Sequence, residues 1–128
     1  MKIFVYGTLR RGAPMHGLLE GRVRFLGAGS VAGRLLDLGA FPGLVPPEAE
    51  GDRVEGELFA IVEGEAESLL DAADRYEGET FRRSWEAVEG PAGPEEAWLY
   101  WYIGERTGPE LDPGDLPTNA KGPGSPRG

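Results

Sequence analysis

The chain has no cysteine, a single histidine (His16) and no apolar run approaching the roughly 20 residues of a membrane span. Without cysteine there is no disulfide framework, no thiolate nucleophile and no cysteine-ligated zinc. With one histidine, imidazole-cluster metal sites are excluded, and a Ser-His-Asp triad would have to be built on His16. An acid or base in this chain is therefore expected to be a carboxylate. The residues ahead of Gly7 offer a four-residue apolar core, too short for a signal peptide, and a cytoplasmic location is expected.

Positive charge is scarce too: 13 Lys and Arg stand against 22 Asp and Glu, for a net charge of −9. An acidic chain repels nucleic acid and anionic membrane, so neither is expected as a partner. The cations are unevenly placed, since residues 1–34 hold six of them against Glu20 alone. That basic end contains Arg10 and Arg11, which fit either a site for a small anion or an ordinary solvated surface.

At 128 residues the chain is expected to be one domain able to bury about two-thirds of its unfolded surface. Residues 3–6 form a short continuous apolar run, as in a strand buried on both faces, and Gly7 ends it. Residues 14–20 suit a short helical turn opened by Pro14 and stopped by Gly21. Strands are expected at Val23, Phe25 and residues 31–38, with bulges or close approaches at Gly27, Gly29 and Gly33. The prolines of Phe41-Pro42-Gly43-Leu44-Val45-Pro46-Pro47 exclude a central strand and predict an edge or ordered loop that walls a pocket. Further strands are expected at residues 54–62, 81–88 and 96–103, the last two joined by a hairpin loop over residues 89–94. Residues 1–105 then make the domain, and residues 106–128, rich in proline and glycine, a disordered or loosely docked tail.

Between residues 65 and 76, Ala66, Leu69, Leu70 and Ala73 follow the i, i+3, i+4, i+7 spacing of an amphipathic helix. Four residues further along that face stands Glu77, followed by Gly78. Either the helix reaches Glu77 and turns it inward, or it frays at Tyr76 and leaves Glu77 in water. In the first case desolvation and the negative end of the helix dipole both disfavour its charged form, as a residue that takes and returns a proton requires. Glu79 is the alternative in a shifted register. Asp71 and Asp74 fall away from the apolar face and are expected in solvent.

The segment Val5-Tyr6-Gly7-Thr8-Leu9-Arg10-Arg11-Gly12 takes a strand into a turn. The amides of Gly7, Thr8 and Leu9 need partners there, and glycine lets a ligand approach the backbone closely. Successive amides can hold a carboxylate or an oxyanion, and the glycine patterns of nucleotide-binding loops are missing. The same turn can also be purely structural. Tyr6 can wall a pocket or fill the core beside Phe4. In Trp98-Leu99-Tyr100-Trp101-Tyr102, Tyr100 and Tyr102 share a face with Trp98, and either hydroxyl could reach a ligand. His16 receives no role.

The Tyr-Gly-Thr-Leu loop after an opening strand resembles the gamma-glutamylcyclotransferase-like superfamily, in particular its gamma-glutamylamine cyclotransferase-like branch. Three further motifs are similar and in the same order: Val54-Glu55-Gly56-Glu57-Leu58, a helix ending in Glu77-Gly78, and Phe81-Arg82-Arg83 where Tyr-x-Arg is usual. Residues 98–102 resemble its last strand. The resemblance implies an α+β fold, a small curved or barrel-like mixed β-sheet with one main helix. It implies a cofactor-independent lyase or acyltransferase that converts a small-molecule gamma-glutamyl substrate to 5-oxoproline. Glu77 would be the catalytic acid/base, and Tyr6, Gly7, Thr8, Leu9, Tyr100 and Tyr102 the substrate-binding residues. Phe81 departs from the usual tyrosine, which leaves a non-catalytic binding or regulatory domain as the alternative.

Overall fold

The computed structural model describes residues 1–39, 41–105 and 110–111. Strand β1 (Lys2–Val5) is apolar on both sides because it separates two cores. Ile3 and Val5 pack against the helix layer, while Phe4 points into the barrel. A 3₁₀ turn (His16–Leu18) follows Pro14, and β2 (Val23–Ala32) then runs unbroken through Gly27 and Gly29. Its register slips between Phe25 and Gly27, a bulge where Gly27 adopts φ +142°.

Strand β3 (Arg34–Asp37) pairs with β4 (Pro42–Val45), and β5 (Arg53–Ile61) returns along both β2 and β1. Helix α1 (Ala66–Glu77) buries Leu69, Leu70 and Ala73, as their spacing requires. Strands β6 (Phe81–Gly90) and β7 (Gly93–Tyr102) form a longer hairpin than the sequence predicts. Gly90 pairs with Gly93, and the freedom of Gly93 at φ +115° tightens the connection to Pro91 and Ala92.

Five strands close a barrel in the order β1-β5-β2-β6-β7, mixed because β1 and β7 run parallel. Closure brings β5 against the end of β1 so tightly that a Cβ at Gly56 would lie 2.3 Å from the Val5 carbonyl oxygen. Leu58, Val54, Val88 and Leu99 fill the barrel with Phe4 and Tyr6, and a second core of Ile3, Val5, Phe59 and Leu69 seals the helix onto its outer wall.

Strand β8 (Glu110–Leu111) completes a three-stranded sheet in the order β4-β3-β8. The expectation of an edge at Pro42 agrees with this order. The remainder of the predicted tail, residues 106–109 and 112–128, lies outside the described residues. Among the described residues no helix is long and apolar enough to cross a membrane.

Candidate active site

Where β1 ends, the chain turns through Gly7, Thr8 and Leu9 at the mouth of an open cavity. The loop forms one wall, Tyr76 and Glu77 from the end of α1 another, and Phe41, Pro42, Phe81 and Tyr100 complete it.

The carbonyls of the loop are held by the protein. Gly7 O accepts from the Arg10 amide and from Arg10 Nε, each at 3.1 Å, and Thr8 O accepts from the Met15 amide at 2.9 Å. Leu9 O accepts from His16 Nδ1 at 2.8 Å, which fixes that ring nitrogen as protonated. Among the described residues the amides of Gly7, Thr8 and Leu9 donate to no protein acceptor. A turn with its carbonyls engaged and three successive amides available has the electrostatics of an anion cradle. Thr8 is buried, and its hydroxyl bonds that of Tyr76, tying the loop directly to the helix end.

The two arginines of the motif brace this loop from behind. Burial lowers the Arg10 pKa, and the charge of Glu57 opposes that shift. The Arg11 amide donates to Glu57 at 2.7 Å, and its guanidinium lies 3.3 Å from the centre of the Phe25 ring. Neither arginine lines the cavity. His16, to which the sequence assigned nothing, positions the loop through its bond to Leu9.

Glu77 is the last residue of α1, and the helix does not fray at Tyr76. Gly78 ends it at φ +78° with its amide on Asp74 O at 3.0 Å. This leaves Glu77 half-buried on the cavity wall facing the loop, whereas Glu79 is exposed beyond the glycine.

Asp74 is not the solvated residue that the helical pattern predicted. Arg83 Nε donates to Oδ1 at 2.9 Å and Nη2 to Oδ2 at 3.2 Å, and the Tyr100 hydroxyl donates to Oδ1 at 2.6 Å. Asp74 lies three residues before Glu77 and so on the flank of the same turn, where the β6-β7 hairpin reaches it. Burial alone would raise its pKa, but the bonds from Arg83 and Tyr100 and the arginine charge outweigh that and hold it below the usual carboxylate range. The bond to Asp74 raises the Arg83 pKa. Burial first, then the bond to Asp74 and the charges of Asp74 and Glu77, push the Tyr100 phenol well above its ordinary value, so it stays protonated.

The remaining aromatics divide. The Tyr6 hydroxyl donates to Tyr100 O at 2.9 Å and accepts from the Leu44 amide at 3.1 Å, so its ring walls the cavity while its proton joins β1, β4 and β7. Tyr102, two positions along β7, lies outside the cavity, with its hydroxyl on Glu105 O at 2.6 Å and its ring edge on Phe81. Phe81 lines the cavity without a hydroxyl. Sequence reasoning did not single out Tyr76 or the Asp74-Arg83 pair. The position of Tyr76 beside Glu77, and the arginine of Phe81-Arg82-Arg83 at the start of the strand that follows the helix, were the signals that could have found them. Among the described residues no group of three or more His, Asp or Glu gathers to hold a metal ion.

A family model described as gamma-glutamyl cyclotransferase, AIG2-like, matches residues 3–117. A Vibrio cholerae protein named "Putative gamma-glutamylcyclotransferase" is 36% identical over 106 residues, covering 78% of this chain and 80% of its own. A Drosophila melanogaster protein of the same name is 36% identical over 89 residues, covering 61% of this chain, and the match spans only 57% of its length. The crystal structure of a Mus musculus AIG2-like protein superposes with a TM-score of 0.70 at 24% identity, over 94% of this chain and 95% of that one, a likeness of fold.

Proposed function

The chain belongs to the gamma-glutamyl cyclotransferase, AIG2-like family, and from that premise we propose that it cyclises a gamma-glutamyl amine or gamma-glutamyl amino acid to 5-oxoproline with release of the amine. The observation that carries this reading is the meeting of Glu77 with the amides of Gly7, Thr8 and Leu9 across one cavity. The amides supply an oxyanion site, and the carboxylate supplies an acid/base within the same enclosure.

In the proposed reaction Glu77 takes a proton from the substrate's α-ammonium. The freed amine attacks the γ-carbonyl carbon of the same molecule, and the C=O electron pair moves onto oxygen. The loop amides hold that oxyanion, each well-placed donor contributing roughly 3 to 4 kcal/mol. Collapse re-forms the carbonyl as the bond to the leaving nitrogen breaks. Glu77 returns its proton to that nitrogen and then passes to it the second proton that the ring nitrogen sheds, so the lactam nitrogen ends neutral and the amine departs as an ammonium ion. Atoms and charge balance with no oxidant or reductant. The attacking amine is tethered to its target, so holding the chain in a folded conformation supplies much of the rate.

Phe81 favours a second reading, in which the cavity binds a related small molecule without turnover, since it brings no hydroxyl to the wall. One experiment separates the two. Wild type and Glu77→Gln are incubated with a panel of gamma-glutamyl amines and dipeptides, and 5-oxoproline is measured. Product from wild type with a loss of about a hundredfold or more in the variant is expected for an acid/base residue. Ligand binding with no product from any substrate would support the binding reading instead.

A further inference from the structure

The Tyr100 hydroxyl has one proton, and the geometry fixes where it goes. Asp74 Oδ1, 2.6 Å away, already receives Arg83 Nε at 2.9 Å, while Oδ2 receives Nη2 at 3.2 Å. An ionised carboxylate clamped in this way offers acceptors only. Tyr100 must therefore donate to it, and the lone pairs of its oxygen are left to accept. Tyr100 also lines the cavity, and the Glu77 charge lies close enough to act on its phenol. The ion pair sits at a rim, Asp74 keeping 41% of its side chain exposed, so its contribution to folding stability is small. Its consequence is one of direction.

We infer that Asp74 is a positioning residue which, by holding the Tyr100 proton, presents the Tyr100 oxygen to the cavity as a hydrogen-bond acceptor and so selects a ligand that donates there. Resting on the proposed reaction, this assigns the substrate's α-ammonium to the side of the cavity shared by Tyr100 and Glu77. Its anionic and carbonyl oxygens then face the amides of Gly7, Thr8 and Leu9. The two walls read opposite polarities, and a substrate placed the other way round would set carboxylate oxygens against a lone pair and a carboxylate.

The test compares L-glutamate with glutarate, which lacks only the α-ammonium, by calorimetry on wild type, Asp74→Asn and Tyr100→Phe. Melting temperatures and 5-oxoproline rates are measured alongside. Asn places a donor where the carboxylate had acceptors, which frees the Tyr100 proton to turn into the cavity. Wild type should prefer glutamate, and both variants should narrow that preference about tenfold by weakening glutamate alone, as expected for one hydrogen bond to a charged group. If Asp74→Asn does not fold, Tyr100→Phe keeps the core ring and gives the same comparison. A preference unchanged in the variants, or equal weakening of both ligands, would overturn the Asp74 assignment while wild-type turnover left the reaction standing. Equal binding of both ligands by wild type, with no 5-oxoproline from any substrate, would overturn both.

Discussion

At Gly56 a single hydrogen decides whether β5 can pass the end of β1. A Cβ there would lie 2.3 Å from the Val5 carbonyl oxygen and 2.7 Å from Phe4 Cζ, and the first of these is backbone that cannot swing aside. Gly56→Ala is expected to cost about 1 to 3 kcal/mol of stability, read from the midpoint of urea unfolding, because overpacking forces the strands apart. Since Val5 leads into the Gly7 loop, 5-oxoproline formation should fall as well. Asp74 makes a prediction of opposite character, in pH rather than in space. Its folded pKa is depressed, so its contribution is complete above the unfolded value and is lost as pH falls through the folded one. Arg83, with a raised pKa, contributes constantly throughout that acid range. Unfolding midpoints measured downward from about pH 4 should therefore fall less steeply in Asp74→Asn than in wild type. The difference is small because the carboxylate is partly exposed.

Helix α1 does its work for the site at its last turn. Gly78, at φ +78°, ends the helix directly after Glu77 and turns the chain back toward β6. Gly78→Ala is expected to cost about 1 to 3 kcal/mol, because φ +78° with ψ −168° is backbone that essentially only glycine adopts. Relaxation of the cap would also shift the Glu77 carboxylate, so kcat should drop together with a fall of several degrees in the melting temperature. The apolar spacing of Ala66, Leu69, Leu70 and Ala73 extends to Glu77 and an apolar strand stops at Gly7, but these patterns left a frayed helix end and a purely structural turn open. The resemblance of Tyr6-Gly7-Thr8-Leu9 and Glu77-Gly78 to family motifs singled them out. The bulge at Gly27 and the edge position of Pro42 follow from local backbone chemistry. Asp74 was not legible, since a helical wheel assigns every residue off the apolar face to water. Only the fold places Arg83 and Tyr100 on that flank. Likewise, alternation put Tyr100 and Tyr102 on one face of β7, but it carries no information about where along the strand the cavity ends. The parallel pairing of β1 with β7, which closes the barrel, is a long-range choice that no local pattern encodes.

On the scale of the whole molecule, the barrel and the small sheet contribute differently. The five barrel strands close on themselves without β8, which adds only Glu110 and Leu111 beside Leu36 and Leu35. No residue beyond Tyr100 lines the cavity among the described residues. Residues 106–128 carry three Lys or Arg and three Asp or Glu, so their removal leaves the net charge at −9. Truncation after Glu105 should therefore leave kcat/KM for 5-oxoproline formation within about twofold of the full chain, as for changes away from a site. Its cost should appear instead at β3, where loss of β8 uncovers ladder amides and carbonyls next to the buried Leu35 and Leu36. An uncovered strand edge invites pairing with another chain, so the truncated protein should associate at high concentration in light scattering while remaining active when dilute. A collapse of the dilute rate would instead mean that the C-terminal segment takes part in the site, because the barrel closes without it.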